Sequence, residues 1–289
     1  MKLPRSSFQY QRKAKEDSAI VDALDKLVER HPSIGFWQSY HRLRNRGNTW
    51  NHKRVRRIYR QMNLNIRRKP KKRLPERVKQ TLTYVTSPNQ MWSIDFMSDS
   101  LQDGRKVRLL NIIDDFNREC LAIEVDTSLP TKRLIRVLIR LIKERGIPAN
   151  IRVDNGPEFI SHLLEEWCNE NRITLQFIQP GKPTQNAFIE RKNGSIRREL
   201  LNAYMFTTLD EVREFCEDWR MDYNYERPHK SLGYLSPVTF LEQWHKRSKY
   251  AQQLYPQMAT ENPSQIEGSH LVDKVFEKMN VQPKTLILN

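Results

Sequence analysis

Apolar positions recur every three or four residues over the first 65 residues, and from about residue 90 they gather into short dense runs. In "DSAIVDALDKLVER" residues 20, 21, 24, 27 and 28 share one helical face, and Pro32 ends the segment. "FWQSYHRLRNR" keeps the period with Trp37, Tyr40 and Leu43, and Gly47 gives the following turn its backbone freedom. "NHKRVRRIYRQM" sets Val55, Ile58, Tyr59 and Met62 at i, i+3, i+4 and i+7, with Asn51 as N-cap. Lys53, Arg56, Arg57 and Arg60 fall on the opposite face with no acid beside them. Two short helices joined by a Gly turn, the second with an arginine-rich outer face, predict a helix-turn-helix rather than an ordinary solvated bundle.

The runs "QMWSIDFMS", "KVRLLNIID" and "ECLAIEVD" predict three successive strands. "TKRLIRVLIRLIKER" follows as an amphipathic helix with Thr131 as N-cap. Next come strand "ANIRVD", turn "NGPEF", helix "FISHLLEEWCNEN", strand "ITLQFI", loop "QPGKPTQ" and a helix carrying Glu190. The order βββαβαβα predicts an α/β domain, a mixed five-stranded sheet flanked by helices. "TTLDEVREFCEDWRMDYN" opens with a capping box, Thr208 to Glu211, and carries an apolar stripe of Val212, Phe215, Cys216 and Trp219. After about Lys246 the chain turns polar, with one short helical pattern, "HLVDKVFEKMN". The expected divisions are a helix-turn-helix domain at 1–66, a basic linker at 67–88, a core at 89–204, its helical extension at 205–245 and a polar tail at 246–289.

Charge sharpens this picture. The net charge is +16, yet residues 1–80 hold 23 Lys+Arg against 6 Asp+Glu, while the remainder is nearly balanced. Such asymmetry predicts a polyanion-binding module joined to a body with another task. Nucleic acid fits better than a membrane surface, because the basic segments are short and show little exposed apolar face. "RRKPKKR", with Arg67, Arg68, Lys71 and Lys72, cannot bury itself and reads as a linker able to lie along phosphates. No run approaches the ~20 apolar residues that cross a bilayer, and the first residues lack a secretory h-region. Cys120, Cys168 and Cys216 are far apart and fit no zinc spacing, which predicts buried thiols in a reducing cytosol.

Three acids stand at telling places. Asp95 lies inside the first strand, Asp154 ends the fourth, and Glu190 lies on the last core helix. An Asp in an apolar strand is costly to bury unless paired or metal-bound. Adjacent strands would bring Asp95 and Asp154 together, and a helix across that edge would deliver Glu190. Three hard carboxylates suit Mg²⁺ or Mn²⁺, and two such ions roughly 3.5–4 Å apart can clamp a phosphodiester during in-line displacement. Glu190 would complete the site, while Lys182, Lys192 and Arg197 around it would meet phosphates.

The spacing of these acids, with 35 residues between Asp154 and Glu190 and Arg197 seven residues beyond, resembles the D,D(35)E triad of retroviral integrases and insertion-sequence transposases. "DNGPEF", "PGKPTQNAFIERKNGS" and "YNYERPHKSLGYLSP" resemble the B-frame transposases of two-frame bacterial elements, over about residues 15–242. The resemblance implies a ribonuclease-H-like core that uses two divalent ions to cut a DNA strand at an element end and transfer its 3′-OH. It implies element ends and target DNA as partners, self-association on DNA, an A-frame product or fused A–B protein, and a bacterial cytoplasm and nucleoid. It makes loop 179–185 a DNA-touching loop, with Asn155 and Asn186 as substrate-orienting amides. The rival expectation is a catalytically inactive DNA-binding regulator of the element; a plain nuclease is disfavoured by the N-terminal module. Among other polar residues, Asp114 and Asp115 read as turn formers, Glu158 as a charge at a helix N-terminus and His162 as no ligand.

Overall fold

The computed structural model describes residues 17–65, 85–179 and 186–254, with side chains to residue 250. The described residues fall into two compact units, one within Met1–Lys72 and one within Arg73–Asn289.

In the first unit, α1 (Ser18–Arg30), α2 (Phe36–Asn45) and α3 (His52–Gln61) pack around Ile20, Leu24, Leu27, Ile34, Leu43, Val55, Ile58 and Tyr59. These are the positions the helical period selects, and burying each contributes roughly 1.5–3 kcal/mol. Gly47, at φ 90°, makes the turn between α2 and α3. The Asn51 side chain accepts the Lys53 N–H at 2.8 Å and starts α3.

In the second unit, β1 (Met91–Ser100), β2 (Lys106–Asp114), β3 (Cys120–Asp126), β4 (Asn150–Val153) and β5 (Thr174–Phe177) form one sheet in the order β3-β2-β1-β4-β5. β1–β2 and β2–β3 are antiparallel, whereas β1–β4 and β4–β5 are parallel. The sheet is dense in Val, Ile and Leu because both faces are covered. On one face Trp92, Ile94, Leu110 and Ile112 pack against α4 (Thr131–Arg145) and α5 (His162–Glu170). On the other, Met97, Leu109 and Val125 meet Ile196 of α6 (Ala187–Ile196), Leu200 beyond it, and Val212 and Cys216 of α7 (Leu209–Met221). α8 (Pro237–Leu254) sets Phe240 and Trp244 against Phe116 in the β2–β3 turn, at 5.6 and 5.5 Å.

The expected order βββαβαβα is the observed one, and the Thr208–Glu211 capping box is present. Two local expectations change. Pro130, not Thr131, is the N-cap of α4, since its extended backbone leads into the helix; the Thr131 hydroxyl donates to the Glu158 carbonyl at 2.9 Å. The polar stretch after Lys246 continues α8 to Leu254, because it holds neither Gly nor Pro and is rich in helix formers. The pattern at "HLVDKVFEKMN" lies outside the described residues. All three cysteines are buried and free, as the sequence predicts.

Candidate active site

The register of β1 and β4 decides where the acids meet. Ser93 pairs with Arg152, so Asp95 and Asp154 each stand two residues further along neighbouring parallel strands. Side chains repeat with period two, so both carboxylates share one face of the sheet. Trp92 and Ile94 turn to the α4–α5 face, so Asp95 turns to the face covered by α6. β4 ends at Val153, which leaves Asp154 at the mouth of the sheet.

Asp95 is half-buried, and both its oxygens are engaged. Oδ1 accepts the Phe96 N–H at 2.9 Å and Oδ2 accepts Asn193 Nδ2 at 2.7 Å. Its carboxyl is pushed up to about 6, first by burial, then by the charge of Asp154 and, more weakly, of Glu190; its two hydrogen bonds oppose the rise. Among the described residues it makes no ion pair. Asp154 is held by a turn in which its Oδ1 accepts the Gly156 N–H at 2.9 Å. A Cβ on Gly156 would meet that oxygen at 2.9 Å, so any side chain here would push the Asp154 carboxylate out of its place. The segment after Asp154 is clamped further along. Glu158 pairs with Arg108, whose guanidinium lies 4.5 Å over the Phe96 ring, and Phe96 contacts Phe159 at 5.0 Å. Glu158 therefore anchors a loop to the sheet rather than complementing a helix end.

Glu190 lies in the first turn of α6, exposed, its carboxyl raised by partial desolvation. Among the described residues no three carboxylate, imidazole or thiol groups already ring a single point. Asp95 and Asp154 are fixed by their hydrogen bonds, so the longer, exposed Glu190 side chain is the adjustable member. The donors fit a hard divalent cation. They are carboxylate oxygens, and one of them sits in a crowd of like charge that a cation would relieve.

The other expected residues divide. Asn155 is exposed, and its Nδ2 donates to the Ile178 carbonyl at 2.9 Å, tying the ends of β4 and β5 together. Asn186 is 3 % exposed at the start of α6, and its Oδ1 has no partner among the described residues. Arg197 binds β1 itself, with Nη1 to Asp99 at 3.1 Å and Nη2 to the Ser98 carbonyl at 2.6 Å. Lys192 corrects the expectation of a phosphate contact. It is 1 % exposed, and its Nζ donates to Asn111 Oδ1 at 2.5 Å on the strand beside Asp95. It sits between Ile189 and Ile196 on the buried face of α6 and cannot reach solvent, let alone DNA. Lys182, Arg67, Arg68, Lys71 and Lys72 lie outside the described residues, as does most of the 179–185 loop.

On α3, Lys53, Arg56, Arg57 and Arg60 are all exposed, as the period predicts. The face is not free of acid, however. Asp17, just before α1, pairs with Arg57 and, at 2.8 Å, with Arg54, and the two guanidinium groups hold its carboxyl below the usual range.

Asp114 caps its turn by accepting the Asn89 and Phe116 N–H groups, each at 2.8 Å. Asp115 forms a buried pair with Arg152 at 2.7 Å, so it is more than a turn former. His162 is exposed on α5 beside Glu166. Asn193, which sequence reasoning passed over, stands three residues after Glu190 and so shares its face.

A mixed sheet in this order, with helices on both faces and an acid-bearing helix packed on β1 and β2, defines the ribonuclease-H-like class of fold. Residues 85–183 and 171–237 match the integrase core domain family, and residues 15–73 match an HTH-like domain. The "insertion element IS407 uncharacterized 31.7 kDa protein" of Burkholderia multivorans is 40 % identical over 82 % of this chain and 86 % of its own length. The "insertion element IS476 uncharacterized 39.2 kDa protein" of Xanthomonas euvesicatoria is 37 % identical over 77 % of this chain and 64 % of its own. Among solved structures, the HTLV-2 integrase catalytic core domain in complex with magnesium is 21 % identical, covers 53 % of this chain and 96 % of its own, and has a TM-score of 0.43. The chain belongs to the insertion-element transposases of the integrase superfamily.

Proposed function

We propose that the chain is a metal-dependent DNA strand transferase in which Asp95, Asp154 and Glu190 form the catalytic triad. The observation that carries this reading is the placement of Asp95. It stands level with Asp154, beneath the helix of Glu190, its carboxyl lifted to about 6 by burial and by both neighbours. Among the described residues none of these three acids is ion-paired, whereas Asp115 and Glu119 beside the buried Asp114 each have an arginine, so the charge of the trio is left for a cation to balance. That counts against the inactive-regulator reading.

Asp95, Asp154 and Glu190 would hold Mg²⁺ or Mn²⁺, two ions per site. The ions would polarise the phosphodiester and stabilise the attacking and leaving oxygens. The chain's own residues supply position. Asn193 and the Phe96 N–H fix both oxygens of Asp95, and the Gly156 turn fixes Asp154. Asn155, next to Asp154 in the chain, and Asn186, one turn before Glu190, would orient the substrate strand once Asn155 releases the Ile178 carbonyl and Asn186 is uncovered. Lys53, Arg56 and Arg60 on α3 would meet the phosphates of element ends, with further DNA contacts from the linker cations, Lys182 and Arg197. Joining two ends calls for at least a dimer on DNA, with the A-frame product or a fused A–B protein assisting recognition. The cytoplasm, at the nucleoid, is the compartment proposed.

The test incubates the protein with Mg²⁺ and end-bearing DNA, comparing Glu190→Gln with the parent. Loss of strand cleavage and joining with DNA binding retained is expected. Equal joining by both proteins would overturn the assignment.

A further inference from the structure

The word "YNYERPHKSLGYLSP" takes no part in the chemistry above, yet its Asn224 and Arg227 join α7 to β3 and to the helix of Glu190. α6 widens into a π-helical turn over Arg197–Leu201, and α7 does the same over Asp222–Glu226. A π turn inserts one residue and re-aims the side chains around it. Here Glu199 in the first turn and Asn224 in the second point inward. Asn224 Oδ1 accepts the Cys120 N–H at 2.8 Å and its Nδ2 donates to the Cys120 carbonyl at 2.9 Å, which fastens α7 to the start of β3. Arg227, 8 % exposed, donates from Nη1 to Glu199 Oε2 at 2.5 Å and from Nη2 to Oε1 at 2.7 Å. Nη2 also reaches Ser195 Oγ at 3.4 Å, and Trp219 Nε1 donates to Glu199 Oε2 at 3.1 Å. Ser195 and Glu199 belong to the same continuous helix as Glu190.

We propose that Arg227 is a positioning residue for Glu190. Its planar fork grips Glu199 along two parallel bonds and Ser195 along a third, so the helix can neither rotate nor slide without breaking them. The grip lies roughly two turns beyond Glu190. Between the two, Lys192 and Asn193 tie the same helix to Asn111 and Asp95. A buried ion pair adds little net stability over well-packed apolar side chains. What this pair supplies is one setting of the acid-bearing helix against β1 and β2. The inference rests on the reading of Glu190 as a catalytic acid.

The test uses the full chain, with kcat and KM measured for strand cleavage of an end-bearing duplex. Arg227→Met, Arg227→Lys and Glu199→Gln are compared with the parent, at a temperature where circular dichroism shows each fully folded. Misplacing a catalytic group by ~1 Å costs about 100-fold, so Arg227→Met is expected to lose kcat on that order. KM for DNA should stay within about twofold. Arg227→Lys should recover part of the loss, because a charge still reaches Glu199. Should Arg227→Met fail to fold, Arg227→Lys and Glu199→Gln carry the same readout, each with lowered kcat and unchanged KM. Parent-like kcat in the folded variants overturns the proposal. So does a loss that merely follows the unfolded fraction. A parent that shows no cleavage sensitive to Glu190→Gln sinks the functional reading instead, and this inference with it.

Discussion

Gly156→Ala isolates the placement of Asp154 from its chemistry. The glycine is not in the left-handed region, so alanine meets no backbone penalty there. The added Cβ meets Asp154 Oδ1 at 2.9 Å, Glu158 Oε2 at 3.5 Å and the Phe159 ring at 3.5 Å. The last two are ordinary contacts and cannot retreat, because Arg108 holds Glu158 and Phe159 is 1 % exposed. Asp154 must therefore yield by roughly 0.5 Å, to reach an ordinary separation, and its bond from the Gly156 N–H weakens, at a cost of about 1 kcal/mol. A shift of that size, scaled from about 100-fold per ångström, should lower cleavage roughly tenfold. A higher Mg²⁺ concentration should be needed for half-maximal rate. The assay measures cleavage of end-bearing DNA across a Mg²⁺ titration, beside DNA affinity and thermal melting. Affinity should match the parent, and melting should fall by only a few degrees. Parent-like cleavage with a parent-like Mg²⁺ requirement would refute the claim that this turn sets Asp154.

Asp114 should make stability depend on pH. Its carboxyl is pushed up to about 7 by burial, with smaller contributions from Asp115 and Glu119, whereas an unfolded Asp titrates near ~3.9. The folded state then holds a proton that the unfolded state has released, so this stabilisation is present below about pH 4 and lost as pH rises through about 7. Relative to the parent, Asp114→Asn should gain stability by a few kcal/mol over that window, read by denaturant unfolding; a constant difference would contradict the burial argument. In DNA-binding titrations, Arg56→Ala should flatten the slope of log K against log salt by about 0.9, and Arg57→Ala by less, because Asp17 already neutralises Arg57. Equal slopes for the two would show that the Asp17 pair opens on DNA. Arg152→Met should cost about 3–5 kcal/mol by leaving Asp115 buried without its partner. Chemical denaturation checks it, and a loss under about 1 kcal/mol would mean that water reaches Asp115.

The helices and strands were legible because their apolar patterns match the periods that burial requires, and tertiary context overrode few of them. The meeting of Asp95 and Asp154 was legible only on the condition that their strands are neighbours, which the chain order βββαβαβα does not fix and the β1–β4 pairing supplies. Lys192 shows what a linear reading loses. Counted along the chain it belongs to a cationic run, but around the helix it lies among Ile189, Ser195 and Ile196, all buried. The same helical period that placed Asn193 beside Glu190 would have placed Lys192 inside. Pairings between distant segments left no such trace. Nothing local to Asp17, Glu158 or Arg197 announces Arg57, Arg108 or Asp99, because those contacts exist only once the chain has closed on itself. "YNYERPH" stayed opaque for the same reason, its partners being Cys120, Ser195 and Glu199.

The burial of every thiol has a practical side. Low-dielectric surroundings hold Cys168 at about 11 and Cys216 at about 12, and raise Cys120 as well. At neutral pH only on the order of one in 10⁴ or fewer of the Cys168 and Cys216 side chains would be in the reactive thiolate form. A cysteine engineered onto the outer face of α3 should therefore take a maleimide fluorophore almost alone. The wild-type background is in effect already silent for single-molecule labelling.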